Sequence, residues 1–275
     1  MNSLAGIKKT LKRIFRRMNG DAFYNQKIIE LVPELQKYSE WQIDFVRETA
    51  AKKNCGSVQG YYKLLEADPE ELTHFRQNLT YVGSHFFRGD DWPFLSERCL
   101  SSFAGADRVR VWCAACSSGQ EVYSIIAALS DFVPLEKIDV FASDYNEEMI
   151  RKCEEGSYFN MHLKEVPEKY RGLLSEGPKK FTFTENVRKR ITTGRIDLLK
   201  DEYPRGFDIV LCRNVLKFFT PEVMEDCQKK LSASLCRGGY LFLSDDDGGT
   251  RVELIKDSEK LGLVQLDNRC IYQKL

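Results

Sequence analysis

The chain has no apolar run approaching the roughly 18 residues that a membrane-spanning helix requires, and Lys8 and Lys9 stand where a signal peptide would carry its apolar core. A cytoplasmic protein without membrane insertion is expected. Net charge is also missing, with 41 basic against 41 acidic side chains. With no recognisable nucleic-acid-binding motif either, no nucleic-acid partner is expected. Histidine is scarce: His74, His85 and His162 complete the set, and none stands at ligand spacing from another. The nine cysteines are odd in number and scattered, and only Cys113 and Cys116 form a CxxC. Without a second such pair, redox or metal chemistry is disfavoured and no bound metal is expected. The bland reading of that pair is two small side chains where a strand turns into a helix. There is no GxGxxG, which disfavours a pyrophosphate-binding dinucleotide site, and no internal repeat.

What is present is a chain of 275 residues, 43% hydrophobic, long enough for one large or two modest domains with their own cores. Residues 1–20 carry Lys8, Lys9, Lys12, Arg13, Arg16 and Arg17 with no acid, while Leu4, Ile7, Leu11, Ile14 and Met18 recur at helical spacing. This basic amphipathic helix suits nucleic acid, anionic lipid or an acidic protein surface, and equally a solvated face of a packed helix. Helical periodicity continues to about Leu79, and Asp68-Pro69-Glu70-Glu71 combines a cap, a first-turn proline and acids against the helix dipole. An all-helical domain with its linker is expected over residues 1–95.

Residues 96–275 change texture to short β-branched runs alternating with helical stretches, the pattern of a parallel sheet with crossover helices. Strands are expected at Arg108–Cys113, Ile138–Ser143, Ile191–Arg195, Phe207–Cys212 and Gly239–Ser244. Helices are expected at Gln120–Leu129, from Glu147 to about Cys153, at Pro221–Leu235 and at Thr250–Leu261. Val264–Gln273 reads as a closing antiparallel pair about Asp267-Asn268. An insert over about 156–190 holds two weak strands at best, Phe181-Thr182-Phe183 being one. The whole is a doubly wound α/β sheet, whose ligands sit outside the carboxyl ends of the strands near the topological switch point.

The tips of those strands carry the polar groups. Ala114–Glu121 is a turn of small residues, including Gly119, that lets a ligand approach the backbone. Asp144 ends the second strand, where a carboxylate accepts from ribose hydroxyls. Asp197-Leu198-Leu199 follows the third strand, and Arg213-Asn214-Val215 the fourth. Each acid alone also has a reading as a cap or turn residue; together they suggest adenosine without a phosphate tail.

The segments Phe86-Phe87-Arg88, Val111–Ser124, Phe141-Ala142-Ser143-Asp144 and Phe207–Val215, with Gly156-Ser157-Tyr158 and Gly238–Leu243, resemble the CheR-type chemoreceptor glutamate methyltransferases in order and separation. The resemblance runs from about residue 20 to near the end. It implies a Rossmann-like fold dependent on S-adenosylmethionine, a small β-subdomain as the insert, and the cytoplasmic domains of chemoreceptors as substrate and partner. The products would be glutamate methyl esters and S-adenosylhomocysteine, and a monomer is expected. It also implies that Ser84 and Arg88 close over the cofactor, with Arg88, the catalytic residue, holding the cofactor's carboxylate or steering the incoming acceptor one. By the same resemblance Glu121 faces the methionyl end, Gly119 is a cofactor-binding residue, Asp144 holds the ribose, Asp197 and Leu198 border the adenine, and Asn214 and Val215 lie near the sulfonium. The chain departs from the family pattern at Val82, at Ser84, at Gln120, at Phe218 where a tyrosine is usual, and at Ser244–Asp247 where Gly-His-Ser-Glu is usual. These departures motivate an alternative, a weakened relative that binds S-adenosylmethionine or S-adenosylhomocysteine as a sensor or scaffold. A methyltransferase for RNA or a small molecule is a third reading, suggested by the N-terminal cations alone.

Overall fold

The computed structural model describes residues 21–37, 41–78, 84–244, 254–267 and 269–275. The basic segment 1–20, Val82 and Asp245–Asp247 lie outside the described residues. The chain divides into a helical unit before Tyr81 and a larger unit that runs Tyr81–Lys217 and Pro221–Leu275.

In the helical unit, Trp41–Lys52, Val58–Ala67 and Pro69–Asn78 follow helical residues 21–31. Ser57 caps the second of these by accepting the Gly60 amide, and Asp68 accepts the amides of Glu70 and Glu71 to start the third, as its sequence predicts. Ile28, Val32, Val46, Ala50, Val58, Tyr61, Leu65 and Phe75 bury the apolar stripe. Tyr61 is tied down by its hydroxyl, which donates to Glu71 at 3.1 Å.

The larger unit is built on a seven-stranded sheet. In chain order its strands are β1 (Val109–Ala114), β2 (Ile138–Asp144), β6 (Ile191–Arg195), β7 (Phe207–Leu211), β8 (Leu235–Phe242), β9 (Leu263–Gln265) and β10 (Ile271–Lys274). The spatial order is β6-β2-β1-β7-β8-β10-β9, with the first five parallel and the last two antiparallel. β1 is central and nearly continuously apolar, as a strand covered on both faces must be. Its Trp112 is fully buried, and the indole N–H donates to Ser143 Oγ at 2.9 Å. The order of strand addition reverses at β1, from β2 and β6 on one side to β7 and β8 on the other, which places the topological switch point at the carboxyl ends of β1 and β7.

The helices Gln120–Leu129, Glu147–Glu155 and Pro221–Ser234 fall where the periodicity puts them. Three expectations need correction. The insert forms three strands rather than two weak ones: β3 (Ser157–Phe159), β4 (Leu174–Glu176) and β5 (Lys180–Phe183) make an antiparallel sheet in the order β3-β5-β4. β8 begins at Leu235, four residues before the expected Gly239, because Gly238 adopts φ +82 and the pairing with β7 shifts register there instead of ending. Of the expected helix Thr250–Leu261, the described part holds only a 3₁₀ turn, Ser258–Leu261. The closing antiparallel pair is present as β9 and β10.

Candidate active site at the strand tips

The loop that leaves β1 concentrates left-handed backbone. Ala115, Ser117 and Gly119 all have positive φ, at 54°, 50° and 90°. Left-handed non-glycine residues cost about 1–3 kcal/mol each unless the surroundings fix them, and here they turn successive amides toward the tips of β1 and β2. The Ser117 amide donates to Asp144 Oδ2 at 2.8 Å, and the Cys116 amide donates to the Ser143 carbonyl at 2.9 Å. Gly119 has a second, steric reason to be glycine. A Cβ there would stand 2.6 Å from Cys153 Sγ and 2.9 Å from its Cα. Cys113 and Cys116 are buried thiols. The hydrogen bond with Cys153 and burial push Cys116 well above the usual thiol range, and burial does the same to Cys113, so both stay protonated.

Asp144 ends β2 as expected. Its Oδ1 accepts the Asn146 amide at 2.9 Å while Oδ2 holds Ser117. No cation pairs with it among the described residues. Burial pushes its carboxyl above the ordinary aspartate range, and the amides of Asn146, Ser117 and Tyr145 offset only part of that. Its main-chain carbonyl accepts the Ile196 amide at 3.1 Å, which brings Asp197 and Leu198 beside the same strand tip. Asp197 is itself a turn cap: Oδ1 accepts the Leu199 amide, and its own amide donates to Asp201 Oδ2. The bland reading of this residue therefore holds, without using up the acceptor capacity of its carboxylate. Leu198 is buried and its carbonyl accepts the Tyr203 hydroxyl.

A fully engaged arginine, which sequence reasoning treated only as part of a strand end, organises the other side. Arg213 follows β7, and its side chain is 5% exposed. Nη1 lies 2.6 Å from Glu121 Oε1 in the first turn of Gln120–Leu129, and Nη2 donates to the Arg88 carbonyl at 3.2 Å. Nη2 also lies 3.6 Å from Asp91, which pairs with Arg269 as well. The signal that could have exposed it is an arginine directly after a buried apolar strand, since a charge in such a place is almost always paired. Asn214 follows with φ 59°, and Val215 is buried.

Phe87 sits at φ 48°, its amide donating to Ser124 Oγ and its ring stacked on Tyr170. Phe86 packs among Tyr158, Phe181 and Phe183 of the small sheet. These anchors fix the backbone of Arg88, whose carbonyl also accepts the Trp92 indole. Ser84 shares this segment, but no hydrogen bond among the described residues joins it to the group. Gly119, Glu121, Asp144, Asn214 and Val215 thus converge on three adjacent strands, with Arg88 joined through Arg213 and Asp197-Leu198 joined through Ile196.

The strand tips present the carboxylates of Asp144, Asp197 and Glu121. Asp144 offers lone pairs to hydroxyl donors at a site with no competing cation among the described residues. Comparison with known proteins gives the same direction. The family described as "CheR methyltransferase, SAM binding domain" matches residues 83–259. A chemotaxis protein methyltransferase of Listeria monocytogenes is 32% identical over 256 residues, covering 90% of this chain and 95% of its own. One of Vibrio parahaemolyticus is 32% identical over 67% of this chain and 70% of its own, and another of Pseudomonas aeruginosa is 32% identical over 56% and 62%.

Proposed function

The chain belongs to the CheR methyltransferase family, with S-adenosylmethionine as cofactor, and on that premise we propose that it methylates glutamate side-chain carboxylates of chemoreceptors. The products are glutamate methyl esters and S-adenosylhomocysteine. The observation that carries the nucleoside half of this reading is Asp144, a half-buried carboxylate at the tip of β2, oriented by two amides and lacking a cation among the described residues.

In this reading Asp144 accepts from the ribose hydroxyls, Asp197 and Leu198 border the adenine, and Gly119, Glu121, Asn214 and Val215 enclose the methionyl end. Ser84 and Arg88 line the approach. The bound cofactor supplies a sulfonium-activated methyl group. A glutamate acceptor is an anion at neutral pH, so the protein needs no general base. Its contribution is alignment and exclusion of water, for which near-attack positioning supplies up to about 7–11 kcal/mol in favourable systems. Arg88 suits the alignment because a guanidinium fork matches a carboxylate bidentately. The Arg213 hydrogen bond to its carbonyl ties that backbone to Glu121.

Calorimetry with S-adenosylhomocysteine tests the nucleoside site without the acceptor, and base-labile methyl incorporation into receptor membranes tests transfer. Binding with no transfer would replace this reading by that of a sensor or scaffold. Base-stable or nucleic-acid label would point to a different acceptor. Among the described residues, no helix is long and apolar enough to cross a membrane.

A further inference from the structure

Two of the three histidines, separated by 77 positions along the chain, meet at one carboxylate. His162 and Glu165 lie in the 3₁₀ segment Asn160–Glu165, where residues three apart eclipse and so share a face. His162 Nδ1 is 2.9 Å from Glu165 Oε1. His85, in the segment leading to Arg88, places its Nδ1 3.4 Å from the other oxygen, Oε2. One ligand atom from each of the three lies within 4.8 Å of the others. The Phe86 amide donates to Glu165 Oε2 at 3.0 Å and fixes the plane of the carboxylate.

We propose that His85, His162 and Glu165 form a binding site for a divalent transition-metal ion of the zinc type, which staples the Arg88 segment to the small β-subdomain. Two imidazole nitrogens and one carboxylate oxygen are a donor set that zinc accepts, with water completing the tetrahedron. Ligands at about 2.0–2.1 Å from a tetrahedral zinc stand about 3.4 Å apart, which is the spacing already present between His85 and Glu165. Metal binding would replace the 2.9 Å hydrogen bond between His162 and Glu165. The Phe86 amide supplies the outer hydrogen bond that holds a ligating carboxylate in place. His85 is 51% exposed, which leaves an entry path, while Glu165 at 20% is shielded enough to favour a direct bond over a hydrated ion. The site uses none of the residues assigned to the cofactor, and it stands or falls independently of the methyl-transfer reading.

The test is titration of Co²⁺, then Zn²⁺, into the full chain with no methyl donor present. The expected result is one equivalent of Co²⁺ with the visible spectrum of tetrahedral cobalt, displacement by Zn²⁺, and a thermal midpoint that rises with Zn²⁺ concentration. All three should vanish in His85→Ala and in His162→Gln, with circular dichroism confirming that each variant folds. The first variant alters a half-exposed side chain, so loss of the signal there cannot be loss of the fold. Absence of saturable binding, or binding undiminished in both variants and therefore owed to the thiols, would overturn the proposal.

Discussion

Arg213 and Glu121 stand 92 residues apart in sequence, yet the guanidinium Nη1 lies 2.6 Å from the carboxylate Oε1, joining the tip of β7 to the first turn of the helix after β1. The same guanidinium holds the Arg88 carbonyl. One side chain therefore sets the relative position of three segments assigned to the site.

Arg213→Ala should destabilise the chain strongly, because it removes the cation 2.6 Å from Glu121, while Asp91 keeps Arg269. Breaking one side of a buried pair costs about 3–5 kcal/mol, and the 21% exposure of Glu121 places the expected loss toward the lower end. Urea unfolding reads it directly. Arg213→Lys should recover only part, since an ammonium lacks the fork that reaches Glu121 and the Arg88 carbonyl together.

Asp144→Ala should weaken S-adenosylhomocysteine binding by about 1–3 kcal/mol through loss of charged hydrogen bonds, or about 5- to 150-fold in Kd. Unchanged calorimetric affinity would remove Asp144 from the ribose role.

The pH dependence has a definite sign. Burial raises the folded pKa of Asp144 above its unfolded value, so the stability linked to this group is full below the unfolded pKa and is lost as pH rises through the folded one. Affinity runs the other way, because the ionised carboxylate is the stronger acceptor. Calorimetry from neutral pH downward should show S-adenosylhomocysteine affinity falling before exposed aspartates titrate, and that early fall should be absent from Asp144→Ala.

Arg88→Ala should lower methyl transfer much more than it lowers stability or S-adenosylhomocysteine affinity, since it is the Arg88 carbonyl, retained in alanine, that receives Arg213 and Trp92. Wild-type methylation by this variant would exclude Arg88 from the reaction.

Gly119→Ala should destabilise by more than the about 1–3 kcal/mol typical of overpacking, because φ +90 adds backbone strain to the clash with Cys153. Adding Cys153→Ala should restore only part of the loss: the new Cβ would still meet Cys153 Cα and Cβ at 2.9 Å. Full recovery in the double variant would show that the sulfur alone sets the constraint.

Much of the sheet was legible because β1, β2, β6 and β7 are short apolar or β-branched runs bounded by turns, and Gln120–Leu129 is apolar almost throughout. β4 was not, because Leu174-Ser175-Glu176 has two exposed positions in three residues and no alternation to detect. Gly238-Gly239 reads locally as a break, whereas pairing with β7 at Leu235 and again from Tyr240 brackets the two glycines within one strand. Asp144 could be placed from its position at a strand end. The Arg213–Glu121 pair and the meeting of His85 with His162 could not, since each depends on long-range packing that leaves no periodic trace in the chain.

The central claim is transfer of a methyl group to glutamate, and its most direct measurement is incubation of the full chain with methyl-labelled S-adenosylmethionine and chemoreceptor cytoplasmic domains. The expected result is label on receptor glutamates that mild base releases as methanol. Label that survives base, or no label at all on receptors while the cofactor is demonstrably bound, would contradict it.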